Sequence, residues 1–490
     1  MLPADIVYLL GMRASEYENK LKQQAEMIER QAERIKQLEA EIDGLKKLLA
    51  GKAEAKTAKK PRFTENYSLD KHKRKKKRRK KSTGRRSNDA KRALVEHQYD
   101  IFRANADRQR CVFHREQFAW RLINGRAVYV GYNIHDLPDS KELPLPTGVR
   151  NSRSEYGIEI ILTLAFLHYW IGVSLDNARE IMRFFTGLEL SKSQADSLLS
   201  QLAADWDQQY DTIAELIALS MIVYIDETGW KVGKRSCYTW AFSTAMHVLF
   251  RCGVGRGKAE AEEVLGQFFA GVGVTDDYAA YKSLFSKHQL CWAHLIRKAI
   301  KLALMHPENQ QYAAFLDELC NIYQRAVRCR RDGRLRAGRV TKARELEEAI
   351  RSLCTRHGET IDKDTTPDHE ATFIRLQNEL VDNLDRLFVF VEHPEVEPTN
   401  NRSERNVRRE AEIRKGGRTS KTPAGAGRRS VIMTVLASLQ TRFAKFTLDS
   451  LLSEVQRWLA EGRSVFESEL AELQKANAPP PAEPAICPSG

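Results

Sequence analysis

The chain has no paired cysteine spacing, no apolar run long enough to cross a bilayer and no surplus of acid, and each absence removes a class of protein. Its eight cysteines, Cys111, Cys237, Cys252, Cys291, Cys320, Cys329, Cys354 and Cys487, are scattered. That argues against a disulfide framework and for reduced thiols in a cytoplasm. The longest apolar stretch, Ile158 to Ile171, is interrupted by Glu159, Thr163 and His168. It falls short of the ~20 residues a membrane span needs, so it reads as a buried helix. No secretory signal is visible, and no membrane partner is expected. What is present in excess is positive charge: 79 Lys and Arg against 65 Asp and Glu, a formal +14 over 490 residues. Such a balance points to a polyanionic partner, nucleic acid before an anionic membrane surface. The 42% hydrophobic content is enough for several cores.

The chain divides by composition. Within residues 1–51, Leu21, Ile28, Ile35, Ile42 and Leu49 recur every seven positions, and Leu38 and Leu45 supply the second seam position of the later heptads. Gln24 and Gln31 take that position earlier, so a coiled coil with a polar first half is expected, favouring a parallel dimer. Residues 52–97 form a basic arm around Lys71-His72-Lys73-Arg74-Lys75-Lys76-Lys77-Arg78-Arg79-Lys80-Lys81. With almost nothing apolar nearby this block cannot fold alone, and it suits sequence-blind, salt-sensitive phosphate binding. Within 98–148, Phe118 to Leu122 and Ala127 to Tyr132 flank Asn124-Gly125, a hairpin signal. Cys111 and His114 have half of a zinc spacing, but no second close pair follows, which argues against zinc there.

Residues 149–218 read as helices. One runs to about Trp170; Ser174 caps a second, Leu175 to Thr186, which Gly187 ends; Ser191-x-x-Gln194 is a capping box opening a third. Two tight turns between three helices fit a helix-turn-helix, with Lys192, Ser193 and Gln194 at the start of the recognition helix. A helical bundle that only supports the next segment fits equally well.

Three acids organise the remainder. Asp226 closes Met221-Ile222-Val223-Tyr224-Ile225, Asp276 closes Val272-Gly273-Val274-Thr275, and Glu404 lies in Thr399-Asn400-Asn401-Arg402-Ser403-Glu404-Arg405. A short β-branched run ending in a carboxylate predicts a buried strand that delivers an acid to the end of a sheet. Two such strands and a distant Glu make an oxygen-only site for two hard divalent cations, roughly 3.5–4 Å apart, suited to in-line displacement at phosphorus. Further strands are expected at Cys237 to Phe242 and His247 to Arg251, with a helix at Lys258 to Phe269. The glycines of Gly253-x-Gly255-x-Gly257-Lys258 lack the Walker spacing and read as a strand-to-helix turn. The order β-β-β-α-β, with acids on the first and fourth strands, is that of an RNase H-like fold. The expected class is therefore multidomain α/β: a core in two parts, 219–300 and 395–447, interrupted by a helical insertion at 301–394. A helix at Ser430 to Phe446 precedes a C-terminal helix and a disordered tail within 448–490.

Asp226-Glu227-Thr228-Gly229-Trp230, Thr275-Asp276-Asp277-Tyr278-Ala279-Ala280-Tyr281, Cys291-Trp292-Ala293-His294-Leu295-Ile296-Arg297-Lys298 and Asn400-Asn401-Arg402-Ser403-Glu404-Arg405 together resemble the insertion sequence 66 family of bacterial DDE transposases, from about Cys111 to Phe446. The resemblance implies that Asp226, Asp276 and Glu404 are the catalytic trio holding two Mg²⁺ or Mn²⁺ ions. These would support cleavage at a transposon end and attack of the freed 3′-hydroxyl on target DNA. Asp277 stands where the family usually has Gly, and Thr399 where it commonly has Asp. Strand alternation lets only one of Asp276 and Asp277 face the metals, and Asp276 is favoured.

His294, Arg297 and Lys298 open a helix and are placed to meet a phosphate. Arg402, Arg405, Arg408, Arg409, Arg414, Lys415 and Arg418 crowd around Glu404 as candidate DNA contacts, with Lys73 to Arg79 of the arm. The expected partners are double-stranded DNA, as transposon ends and target, a second copy through the coiled coil, and small accessory proteins of the same element. The expected location is the bacterial cytoplasm, at the nucleoid. A catalytically inactive, DNA-binding regulator descended from such an enzyme and a stand-alone nuclease are the alternatives. Metal-dependent cutting and end-specific binding separate them.

Overall fold

The computed structural model describes residues 86–476, apart from 268, 282 and 363. The heptads, the run Lys73 to Arg79 and the tail beyond Ala476 lie outside the described residues. The described chain is mixed α/β, and its described residues divide into two units: one holds 88–299 and 321–476, the other 86–87 and 300–320. In the latter, a turn joins two helical stretches, with the His306 amide donating to Leu302 and that of Tyr312 to Asn309.

The larger unit opens with a short helix α1 (Asn88–Arg92) and a strand β1 (His97–Phe102). This corrects the expected arm, which does not stay unfolded to His97. β1, which begins at the arm's last residue, pairs in parallel with β3 (Arg126–Asp136), from His97 opposite Val130 to Phe102 opposite His135. The hairpin of β2 (Val112–Ile123) and β3 forms as its sequence demands. Asn124 at φ 50° and Gly125 at φ 77° supply the left-handed pair that a two-residue turn between twisted strands requires.

The helical segment follows its local signals closely. α2 (Ile158–Ala165) continues into a π-helical turn at Phe166–Trp170. α3 (Leu175–Thr186) is capped by Ser174 and stopped by Gly187 at φ 76°, and α4 (Lys192–Asp205) carries the full capping box of Ser191 and Gln194. α5 (Asp207–Ala218) leads into the second sheet.

That sheet has five strands in the order β6-β5-β4-β7-β8. β4 (Ile222–Val232), β5 (Arg235–Ser243) and β6 (Val248–Val254) form an antiparallel meander. β7 (Phe269–Thr275) and β8 (Phe285–Leu290) run parallel to β4. Two expectations are corrected here. β4 does not end at Asp226; antiparallel pairing with β5 carries it to Val232. The helix before β7, α6 (Ala259–Leu265), is shorter than expected, because Gly266 turns the chain at φ 81° and Phe269 begins the strand.

Helices follow: α7 (Trp292–Met305), α8 (Gln310–Arg331), α9 (Arg336–Leu353), α10 (Asp368–Asp382), α11 (Leu384–Leu387) and α12 (Val389–Glu392). The chain then returns to the sheet with α13 (Asn401–Lys415) against β4 and β5, and α14 (Pro423–Arg442) against β6. α14 starts earlier than expected and stops before Phe446. Its Ser430, Thr434 and Ser438 hydroxyls, one per turn, accept the Cys252, Phe250 and Val248 amides at 2.9, 2.9 and 3.0 Å. β6 is an edge strand, and this helix satisfies amides that would otherwise be orphaned. The C-terminal part holds two helices rather than one, α15 (Leu448–Glu461) and α16 (Val465–Ala476). Among the described residues no helix is long and apolar enough to cross a membrane.

Candidate active site

Strand register brings the expected acids to one level. Tyr224 pairs with Val274 in the parallel ladder, so Asp226 and Asp276 each stand two residues beyond that pair. Thr275 pairs with Leu290, which puts Cys291 opposite Asp276, and the Cys291 amide donates to the Thr275 carbonyl at 2.9 Å. α13 adds Glu404 through two buried anchors. The Asn400 side-chain amide donates to the Ile225 carbonyl at 2.6 Å and the Ser403 hydroxyl to the Ala241 carbonyl at 2.8 Å. Ala241 is the cross-strand partner of Asp226. Glu404 is thereby held in the first turn of α13, beside the centre of the sheet.

The electrostatics report the crowding. Burial first, then Glu227, Glu404 and Asp276, push the Asp226 carboxyl well above its ordinary range. Asp276 accepts the Tyr278 amide at 3.1 Å. Glu404 receives Arg297 on both oxygens at 3.2 Å, and His294 Nδ1 stands 3.5 Å from Oε1. Burial pushes the His294 imidazole down and, with Glu404 adding, the Cys291 thiol up to about 12. A buried carboxyl whose ionisation is disfavoured by neighbouring acids, as at Asp226, fits a divalent cation, whose charge would offset the repulsion. A cavity of about 420 Å³ opens beside them, lined by Asp276, Asp277, Cys291, His294 and Lys298 among others.

The other expected contacts divide. Arg405 and Arg408 are exposed on α13, with Lys415. Arg409 is not a surface cation: it packs 3.8 Å over the Trp170 ring and donates to the Trp170 carbonyl, and burial lowers its pKa. Arg402 is committed to Glu397 at 2.7 Å and lies over Tyr224, while Arg414 and Arg418 donate to the carbonyls of Gly229 and Gly172. Lys298 pairs with Glu379 at 2.5 Å, and Lys192 with Asp176 at 2.5 Å. Gln194 closes its capping box and donates to the Tyr156 hydroxyl. Cys111 and His114 go separate ways, to the carbonyls of Asp107 and Leu137.

Sequence reasoning missed Glu227. It is nearly buried, takes Arg256 at 2.9 Å and accepts a short hydrogen bond from the Tyr281 hydroxyl, whose pKa is raised well above its usual value by burial and then by Glu227. Arg256 in turn packs 4.0 Å over Tyr278. The signal was available: an acid adjacent to Asp226 on a strand must face the opposite side and find its own cation. Asn400 was quoted only as part of a motif, although a buried Asn ahead of a helix is a natural anchor.

Among known protein families, residues 153–428, more than half of the chain, match the family described as Transposase IS66 family. No curated protein matches the chain.

Proposed function

Because the chain belongs to the Transposase IS66 family, we propose that it is the DNA transposase of an insertion sequence, which binds terminal inverted repeats and carries out strand cleavage and strand transfer at Asp226, Asp276 and Glu404. The observation that supports this most is the common level of Asp226 and Asp276 on adjacent parallel strands, with Glu404 anchored beside them. The strand order, three antiparallel strands followed by two parallel ones, supports an RNase H-like core, 219–300 and 395–447, split by the helical insertion at 301–394.

In this reading the three carboxylates hold two Mg²⁺ or Mn²⁺ ions, which when bound polarise the scissile phosphate and lower the pKa of the attacking hydroxyl. The chain's own residues prepare the site. Arg297 orients Glu404 through both oxygens. Arg256 and Tyr281 hold Glu227 away from the reacting centre, so that one acid of the Asp226-Glu227 pair serves the phosphate. Arg405, Arg408 and Lys415 form an exposed basic row along α13 for the DNA backbone, with the arm at Lys73 to Arg79 adding sequence-blind affinity. The heptads dimerise the protein across paired ends, and α2 to α5 contribute a helix-turn-helix-like surface.

The test is a labelled oligonucleotide carrying the element's own end, incubated with the full chain, the element's accessory proteins and Mg²⁺ or Mn²⁺. A 3′-hydroxyl at the end and a joined target product are expected. Binding of the end without cutting or joining would replace this reading with a regulatory one.

A further inference from the structure

We propose that Cys291, His294 and Glu404 form a second metal site, selective for a thiophilic divalent ion of the zinc class, and that its occupation takes Glu404 from the Asp226–Asp276 pair. The three donor atoms lie within 4.8 Å of one another. Cys291 Sγ stands 3.6 Å and His294 Nδ1 3.5 Å from the same Glu404 oxygen. With zinc bonds of about 2.3 Å to sulfur and about 2.0 Å to nitrogen and oxygen, the edges of a tetrahedron are roughly 3.3–3.6 Å. The spacing therefore suits one ion touching all three, with water or a fourth group completing the shell.

The surroundings support the same reading. The Asn400 amide donates to Cys291 Sγ at 3.2 Å, the kind of N–H contact that steadies a metal-bound thiolate. Arg297 approaches both Glu404 oxygens, so it can remain on Oε2 when Oε1 takes the ion. The cavity that reaches Asp276 is also lined by Cys291, itself buried, and by His294, which provides a path of entry. A thiol and an imidazole discriminate against Mg²⁺, which prefers oxygen, and favour the later first-row ions. The thiol proton leaves as the ion enters. One carboxylate thus belongs to two sites of opposite chemical taste, and zinc acts as an inhibitor of the Mg²⁺-supported reaction. Only that inhibitory consequence rests on the proposed function; binding itself does not.

Co²⁺ titration of the metal-free full-length chain tests binding without any turnover. Wild type is expected to give a thiolate-to-cobalt charge-transfer band that saturates at one ion and is displaced by Zn²⁺. Cys291→Ser should lose the band, Cys354→Ser should keep it, and His294→Asn should weaken binding about 10- to 100-fold. His294→Asn also serves if Cys291→Ser does not fold. In parallel, micromolar Zn²⁺ should suppress Mg²⁺-supported cleavage by wild type and suppress it less in Cys291→Ser. No band in wild type, or an equal band in Cys291→Ser, overturns the site. A band that depends on Cys291 in a protein that never cleaves DNA keeps the site and removes the transposase reading instead.

Discussion

Asp226 carries an energetic burden in the metal-free protein. Its carboxyl is raised above the ordinary value near 3.8, first by burial and then by Glu227, Glu404 and Asp276. The folded state therefore holds a proton that the unfolded chain releases, and stability falls as pH rises through the window above that value. Asp226→Asn should raise the melting temperature of the metal-free protein at neutral pH, flatten that decline and still abolish metal-dependent cleavage; thermal melts across pH with chelator check it. An unchanged melting profile would mean that the carboxyl is not crowded. The arginines of α13 separate in the same way. Arg408→Ala should weaken DNA binding and reduce the salt slope by about one, whereas Arg409→Ala should lower stability and leave that slope alone. Fluorescence anisotropy over a salt series, with melts, distinguishes the two. Residue types around Glu404 were legible in the sequence as a dense basic cluster. Its division was encoded too, since Arg402 and Arg409 lie seven apart on one helix face with Ile413, but charge density alone did not reveal it.

Among the elements, those fixed by local chemistry were readable: the Ser174 cap, the Gly187 stop, the Ser191 capping box and the Asn124-Gly125 turn all stand where their residues place them. Those fixed by a distant partner were not. β4 continues past Asp226 only because β5 offers nine residues of antiparallel register, and β1 forms only because β3 has a free edge. The hydroxyls of α14 are another case, since Ser430, Thr434 and Ser438 matter through β6. Thr434→Val keeps the shape and removes the acceptor for the buried Phe250 amide. We expect a loss of about 1–3 kcal/mol in denaturant unfolding; a cost near zero would show that the edge amide finds another partner.

Across the whole molecule, the formal charge of +14 is concentrated in part in the run Lys71 to Lys81. Replacing Lys73 to Arg79 with serine should lower affinity for unrelated and end-bearing DNA alike and flatten the salt dependence by up to about 0.9 per lost phosphate contact. Retained affinity would assign the electrostatic work to the body. The mixed α/β class and the placing of Asp226 and Asp276 on strands or at their ends could be read in the sequence, because β-branched apolar runs leading into a carboxylate are a strong local signal; Glu404 sits in a polar, basic stretch, and its place beside the sheet depends on the packing of α13. The two-unit division and the pairing of Glu227 with Arg256 and Tyr281 could not, since they depend on contacts across the fold. In the proposed function Asp226, Asp276 and Glu404 act together on DNA. This joint action is tested most directly by strand cleavage and joining on the element's end in Mg²⁺ or Mn²⁺, with wild type beside Asp226→Ala, Asp276→Ala, Asp277→Ala and Glu404→Ala. Activity is expected in wild type and Asp277→Ala, and its loss in the other three. Activity that survives Asp226→Ala, Asp276→Ala or Glu404→Ala would contradict it.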